Sequence, residues 1–252
     1  MRDVIETKLE DWSGLVLNRP AAMNALTTPL LTAVAEALSR LADDRDCRAV
    51  VISGAGGNFA AGADIAEIAA KTAADAATDP RKDLWAQIRS FPKPLIAAVD
   101  GFALGGGFEL ALMADMMVLG ETARVGLPET NLGLIPGAGG GQRLLALAGR
   151  ARATRMILTG EIIDAATAEA WGIAAWRVQG SALLEAERIA ARIARRAPLA
   201  LAAAKRALIS GGEGALAFAE ERAGFEALQD SADKAEGIRA FHEKRKPGFQ
   251  GR

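Results

Sequence analysis

The sequence predicts an α/β fold in which short strands alternate with helices around one large core. Apolar runs of strand length at residues 49–53 and 94–99 are each followed by a glycine-rich loop and then by a helical pattern. Such alternation is typical of βα units and of layered α/β folds. The chain has 252 residues, of which 50% are hydrophobic, and this is enough for one large domain with a proper core.

The N-terminal part predicts a strand pair and one amphipathic helix. Residues 4–8 and 14–18 have strand character on either side of a turn. Thr27 or Thr28 is a suitable N-cap, and Pro29 stands at a first-turn position that a helix tolerates. Apolar residues then recur every three to four positions, which predicts one buried helix face. These residues are Leu30, Val34, Leu38 and Leu41.

The segment before the central strand is less regular. An alanine-rich stretch at residues 66–79 has few bulky side chains, and we expect it to be helical in part and mobile in part. It either forms a pocket wall or is a plain surface connection. Residues 83–91 predict a helix, and the prolines that follow it provide a rigid entry to the strand at 94–99.

The last third of the chain is predicted to be mainly helical. Asp164 caps a short helix that Gly172 ends, and a strand follows at residues 173–178. Pro198 and the glycines at 211–212 separate the later helical segments. The predicted helices cover residues 142–148, 154–158, 164–171, 183–196, 198–209, 213–230 and 233–244.

Composition argues against several classes of protein. The net charge is −1, whereas a protein that depends on phosphate contacts is expected to be basic, so nucleic acid is not an expected partner. Cys47 and His242 are the only residues of their types, which leaves no internal disulfide and argues against a zinc site or a Ser-His-Asp triad. We see neither a signal peptide nor an apolar run that could span a bilayer, and we expect a cytoplasmic protein that binds no membrane.

Glycines and two glutamates mark the predicted site. A helix begins within Gly105–Gly107, directly after the 94–99 strand and its turn. A helix start leaves N–H groups without intrahelical partners and carries a partial positive charge, which suits an oxyanion. Glu109 lies in the first turn of this helix, and Glu129 follows beyond it. The apolar residues at helical spacing are Leu110, Met113 and Met117.

A second glycine loop, at residues 58–65, follows the strand at 49–53. Two such loops could each aim one N–H group at a single oxygen and so form an oxyanion hole. Each feature also has a structural interpretation, because glycines allow close packing and most carboxylates are surface residues. A dinucleotide-binding oxidoreductase is disfavoured, since Gln142 occupies the position of the last glycine of the fingerprint in the third glycine cluster.

Several motifs, in the same order along the chain, resemble the enoyl-CoA hydratase/isomerase (crotonase) family. The resemblance runs from about residue 4 to the end. It implies a spiral of repeated ββα turns in residues 1–195 and a helical trimerisation region in residues 196–252. The matching motifs lie at residues 18–20, 24–26, 59–65, 93–99, 103–111, 127–133, 136–140 and 158–160.

The resemblance implies a role for four catalytic residues. The backbone N–H groups of Ala63 and Gly106 would hold the thioester oxygen, Glu109 would act as general base on water, and Glu129 would give a proton to the α-carbon. Leu127 stands where some members carry a polar residue that helps to position the acid, so the orientation of Glu129 stays open. The family uses no metal for this chemistry.

The implied activity is the addition of water to a 2-trans-enoyl-CoA, which gives the 3-hydroxyacyl-CoA. An enoyl-CoA isomerase or another acyl-CoA lyase is the alternative within the family. An RNA-binding relative is the alternative from another class, and the slightly acidic charge balance counts against it. Among family members the resemblance is greatest to those of phenylacetate breakdown, which implies a dehydroadipyl thioester, whereas a short-chain 2-enoyl thioester is the more general expectation.

Coenzyme A is implied as part of the acyl-CoA thioester substrate, with no separate cofactor. Ala66 replaces a lysine that contacts phosphate in some members. Phe225 and Lys244 match positions that reach the coenzyme of a neighbouring subunit in a homotrimer or a hexamer of two trimers, although Lys244 also lies in a charge run typical of a solvated face. The other positions implied to contact coenzyme A are Ala22, Met23, Ala61, Ala63, Asp64, Ile65 and Gly106.

Overall fold

The computed structural model describes residues 2–69, 72, 74–75, 78–209 and 215–252. The strands are β1 Val4–Lys8, β2 Ser13–Leu17, β3 Val50–Gly54, β4 Leu95–Val99, β5 Phe102–Leu104, β6 Met116–Leu119, β7 Arg124–Gly126, β8 Ile162–Asp164 and β9 Trp176–Arg177. The helices are α1 Thr28–Asp43, α2 Ile65–Ala69, α3 Arg81–Arg89, α4 Gly106–Met113, α5 Gly140–Ala148, α6 Arg150–Thr159, α7 Ala165–Ala170, α8 Ala182–Ile193, α9 Pro198–Ile209, α10 Ala215–Ala227 and α11 Ala232–His242.

Two sheets organise the N-terminal three quarters of the chain. The larger has the strand order β1-β2-β3-β4-β6-β9, in which β1 and β2 are antiparallel and the later neighbours are parallel. The smaller has the order β5-β7-β8, with β5 parallel and β8 antiparallel to β7. Every residue of β4 is buried, as expected for a parallel strand that is covered on both faces.

Alternate residues of the larger sheet face two hydrophobic layers. Val50 and Ile52 of β3 pack with α1 and α4 in the main core, whereas Val51 points to the opposite face. Ile96 and Ala98 of β4 share that second face with α8. The period of two is therefore visible in both strands.

The N-terminal predictions are confirmed. Residues 4–8 pair with β2, and Thr27 is the N-cap of α1, since its side chain accepts a hydrogen bond from the backbone N–H of Leu30. Pro29 occupies the first turn. The predicted apolar face is fully buried and comprises Leu30, Val34, Leu38 and Leu41. A threonine cap and an apolar stripe are local signals, which is why the sequence reveals this helix.

Of two predictions near the central strand, one is wrong and the other is right in type but too long. Met117 was expected on the face of the glycine-rich helix, but α4 ends at Met113 and Met117 lies in β6. The chain changes from helix to strand at Asp115. The backbone N–H of Asp115 donates to the carbonyl of Leu95, and its carboxylate accepts from the N–H of Leu95. The strand expected over residues 173–178 is reduced to the two residues of β9. In both cases pairing with a strand that is distant along the chain decides where the strand lies, and the local pattern of residues does not show this pairing.

Short strands also went unpredicted. β5, β7 and β8 have three residues each, too few to show a period in the sequence. The C-terminal helices lie close to the predicted ranges, and α9 begins and ends where expected. The division at residue 195 falls in the connection between α8 and α9, and its role as a domain boundary stays a prediction.

The prediction of mixed helix and mobility at residues 66–79 falls in part outside the described residues. Ile65–Ala69 form α2, and this helical part is confirmed. Across the part of the chain that the structure describes, no helix is both long and apolar enough to cross a membrane.

Candidate active site

The two glycine loops predicted from the sequence lie side by side. Ala60 forms an isolated parallel bridge with Ala103, and the N–H of Leu104 donates to the carbonyl of Ala60 at 3.0 Å. A Cβ atom on Gly107 would lie only 2.1 Å from that carbonyl oxygen. Glycine is therefore required at 107 for the start of α4 to approach the 60–63 loop this closely.

This approach brings the predicted oxyanion donors together. A Cβ atom on Gly106 would lie 3.7 Å from the backbone nitrogen of Ala63, so the two residues are immediate neighbours. Gly106 is the first residue of α4, where a backbone N–H has no intrahelical partner. Among the described residues, neither N–H group has a hydrogen-bond acceptor. The pair is thus available to bind one oxygen atom of a ligand.

Glu109 is buried and held by the third glycine cluster. Its Oε1 atom accepts hydrogen bonds from the backbone N–H groups of Ala138, at 2.7 Å, and Gly140, at 2.8 Å. A Cβ atom on Gly140 would lie 2.6 Å from Cγ of Glu109, so the loop can approach only because residue 140 is glycine. The two donors fix one carboxylate oxygen and leave the other directed elsewhere, which orients the group for proton transfer.

Glu129 is the second carboxyl group in the same cleft. Its Oε1 atom lies 3.2 Å from the position of a Cβ atom on Gly105, directly beside the start of α4. Its Oε2 atom is buried and has no hydrogen-bond partner among the described residues. Burial, together with a smaller effect of the negative charge of Glu109, raises the pKa of Glu129 to about 7. Such a carboxyl group can hold and release a proton near neutral pH.

Leu127, the position left open by the sequence, belongs to the main core and does not line the cleft. Its side chain is fully buried and has no polar atom that could contact the carboxyl group. The sequence left the orientation of Glu129 open at this point. The structure directs the side chain towards Gly105, with the second oxygen unsatisfied, and an unsatisfied buried polar group at a cleft is typical of a functional position.

One cleft of about 890 Å³ contains both glutamates and both predicted oxyanion donors. Its apolar lining comes from α2, α3 and the loop after Glu129, and it includes Trp85 and Ile135. A volume in this range suits a small-molecule ligand. The cleft also contains residues that sequence reasoning missed, notably Trp85 and Arg89 on one face of α3, whose spacing of four residues was the available signal.

The positions predicted to contact coenzyme A divide into a group at or next to the cleft and a group that lies apart from it. Ala61, Ala63 and Ile65 line the cleft, whereas the carboxylate of Asp64 forms an ion pair with Arg19 at 3.4 Å. Met23 has a φ angle of 46°, and its carbonyl accepts a hydrogen bond from the N–H of Ala61. Ala22 belongs to the short 3-10 helix that precedes Met23. This segment is therefore joined to the cleft through backbone contacts.

Phe225 and Lys244 lie apart from these residues. Phe225 is an exposed residue of α10, and Lys244 is an exposed residue just after α11 with a φ angle of 52°. Neither of them lines the cleft in the single chain. Their contact with coenzyme A stays a prediction that concerns an assembly. Within the described part of the chain, no group of three or more metal-ligating side chains occurs.

Fold and site together define a class of protein. A pair of backbone N–H groups next to two buried carboxyl groups can stabilise an oxyanion while protons are transferred beside it, which is the chemistry of an acyl-thioester enzyme. Comparison with known families agrees, since the model of the enoyl-CoA hydratase/isomerase family matches residues 14–252. The chain therefore belongs to this family.

Similar proteins support the same conclusion. A 2,3-dehydroadipyl-CoA hydratase of Escherichia coli is 46% identical, with 100% of each chain covered. A probable enoyl-CoA hydratase of Mycobacterium bovis is 42% identical over 93% of each chain. The crystal structure of an enoyl-CoA hydratase subunit from Geobacillus kaustophilus superimposes with a TM-score of 0.94 at 37% identity, covering 99% of this chain and 98% of that one. These matches confirm the predicted family and the crotonase-like fold.

Proposed function

We propose that Glu109 and Glu129 add water across the double bond of a 2-trans-enoyl-CoA held by Ala63 and Gly106. The reaction class is that of an enoyl-CoA hydratase, as the similar proteins indicate. The observation that carries the assignment of residues is the presence of two carboxyl groups and two neighbouring N–H groups in one cleft. An isomerase is not favoured, because the relatives with this level of identity are hydratases.

The oxyanion pair would bind the thioester carbonyl oxygen. Addition of an oxygen nucleophile to carbon 3 moves electrons towards this oxygen and generates an enolate. Two N–H donors that are fixed before the reaction stabilise this charge, and each donor contributes about 3 kcal/mol to transition-state stabilisation. Both donors belong to glycine-rich loops that are rigidly paired through Ala60 and Ala103.

The two glutamates would divide the proton transfers. Glu109, with one oxygen fixed by Ala138 and Gly140, takes a proton from water as the water oxygen bonds to carbon 3. Glu129, with a pKa of about 7, is protonated in a large fraction of molecules at neutral pH and gives its proton to carbon 2. The product is the 3-hydroxyacyl-CoA, and a proton must then pass from Glu109 to Glu129 to restore the starting state.

The acyl chain is proposed to be that of a dehydroadipyl thioester in phenylacetate breakdown. The support is the E. coli relative, which carries this activity in its name and matches over the whole chain. A homotrimer or a hexamer in the cytoplasm is proposed on the same family grounds. The sequence offers Phe218, Phe225, Leu228 and Phe241 for an interface or for the core of the chain. The three phenylalanines are exposed in the single chain, which supports the interface, whereas Leu228 is half-buried.

The test follows the absorbance of the conjugated thioester with crotonyl-CoA, 2-hexenoyl-CoA and dehydroadipyl-CoA as substrates. We expect the wild type to remove the double bond, and Glu109→Gln or Glu129→Gln to lower the rate by about 10² to 10⁴. Glu10→Gln, at an exposed position, is the control. Conversion of a 3-enoyl thioester by a protein that is inert on 2-enoyl thioesters, with dependence on Glu129 alone, would replace the hydratase assignment by an isomerase.

A further inference from the structure

Two arginines that the proposed hydration does not use lie beside Glu109. Arg89 lines the catalytic cleft and also a second cavity of about 720 Å³, which Arg143 lines as well. Arg143 donates through Nη1 to the carbonyl of Ala138 at 3.1 Å, within the loop whose N–H groups hold Glu109. The arginines therefore meet where the cleft adjoins the second cavity, close to the proposed base.

Within the described part of the chain neither arginine has a direct ion-pair partner, and Glu109 is the anion whose charge acts on Arg143. Among the described residues, no carboxylate forms an ion pair with Arg89 or Arg143. Burial lowers the pKa of Arg143, the positive charge of Arg89 lowers it further, and Glu109 opposes this effect. Arg143 also lies near the N-terminal end of α5, which carries a partial positive charge and has no acidic residue in its first turn. This partial charge adds to the positive charge of the two arginines.

We infer that Arg89 and Arg143 bind the distal carboxylate of a dicarboxylic 2-enoyl-CoA and so select it against neutral acyl chains of equal length. The inference rests on the proposed function. In a six-carbon dicarboxylic chain the distal carboxyl carbon is three bonds beyond carbon 3, which accepts water next to Glu109. Guanidinium groups are suited to carboxylates because their planar N–H donors match both oxygens. Trp85, one turn before Arg89, offers an apolar surface to the methylene groups.

A purely structural role predicts a different result. Arg89 is the last residue of α3, where a cation stabilises the helix dipole, and Arg143 bonds a backbone carbonyl. These contacts would contribute to stability or to the position of the Ala138 loop. They would affect all substrates equally, whereas a carboxylate site affects only the dicarboxylic one.

The experiment measures kcat/KM for dehydroadipyl-CoA and for 2-hexenoyl-CoA in the wild type, Arg89→Met and Arg143→Met. We expect each substitution to lower the ratio of the two values by about 10- to 100-fold, the usual effect of a lost charge-assisted hydrogen bond. Arg89→Lys and Arg143→Lys should recover part of the preference. Arg150→Met, at an exposed position of α6, is the matched control and should leave the ratio unchanged.

Equal loss with both substrates would overturn the inference, as would a wild type that shows no preference for the dicarboxylic chain while it hydrates 2-hexenoyl-CoA. In the second case the proposed hydratase function stands and only the carboxylate site fails. Calorimetric binding of adipyl-CoA and hexanoyl-CoA provides a readout without catalysis. Tighter binding of adipyl-CoA to the wild type, lost in Arg89→Met, supports the site even if turnover is absent, and equal binding refutes it.

Discussion

Replacing Glu129 by glutamine is expected to stabilise the fold at high pH and to have no such effect in acid. In the folded protein burial raises the pKa of Glu129 from 4.5 to about 7. A raised pKa means that the folded state binds the proton more tightly than the unfolded state. The stability that this proton provides is complete below pH 4.5 and is lost as the pH rises through about 7.

The magnitude follows from the shift. A rise in the pKa of Glu129 from 4.5 to about 7 corresponds to about 3 kcal/mol in the free energy of unfolding at 25 °C, because a shift of one pKa unit is worth about 1.4 kcal/mol. Glutamine has no charge to bury, so the variant escapes this loss. For a domain of this size, about 3 kcal/mol corresponds to roughly 6 to 12 °C in Tm.

The assay is thermal unfolding of wild type and Glu129→Gln at matched protein concentration between pH 4 and 8.5. We expect the Tm difference to be small at pH 4 and to grow between pH 5 and 8, in favour of the variant. Glu10→Gln, which changes an exposed glutamate, should follow the wild type at every pH. A Tm difference that is constant with pH, or one that favours the wild type at pH 8, would refute the buried-carboxylate explanation.

Three further predictions concern the same cleft. Gly106→Pro removes one proposed oxyanion N–H at a helix position where proline is tolerated, so kcat should fall by about 10² to 10³ in a crotonyl-CoA assay, while Gly106→Ala keeps the N–H and should lose less. Gly140→Ala forces Cβ to within 2.6 Å of Cγ of Glu109 and should reduce kcat at least tenfold, whereas Gly141→Ala meets only an ordinary contact of 3.4 Å and serves as its control. The hydration rate should decline as the pH rises above about 7, since Glu129 then loses the proton it donates, and a pH–rate profile that is flat from pH 6 to 9 would contradict this role.

Local patterns of sequence were sufficient for much of the fold. A threonine cap, a proline in the first turn and an apolar stripe revealed α1, and the cap at Asp164 revealed α7. Such signals act between residues that are close along the chain. The three-residue strands and the change from α4 to β6 at Asp115 depend on hydrogen bonds to residues about 20 to 40 positions away, and so their own spacing does not show them.

The candidate site was visible as motifs but not as geometry. Glu109, Glu129 and the glycine loops could be selected because they occur together in motifs that resemble the enoyl-CoA hydratase/isomerase family, whereas either carboxylate alone fits a structural role as well. The cleft residues Trp85 and Arg89 escaped notice, since an amphipathic helix carries such side chains for many reasons. Arg143 escaped notice for the same reason, and its relation to Arg89 is an electrostatic interaction between two separate helices.

The sequence by itself determined the family and the order of the main elements and marked the two glutamates as candidates, because these follow from residue types at short spacing. Tertiary structure decided that Gly106 adjoins Ala63, that the Ala138 loop holds Glu109, and that the carboxyl group of Glu129 is buried with one oxygen unpaired. Proton affinity and oxyanion binding depend on burial and on distances between loops that are far apart along the chain. These quantities exist only once the two sheets have brought the loops together.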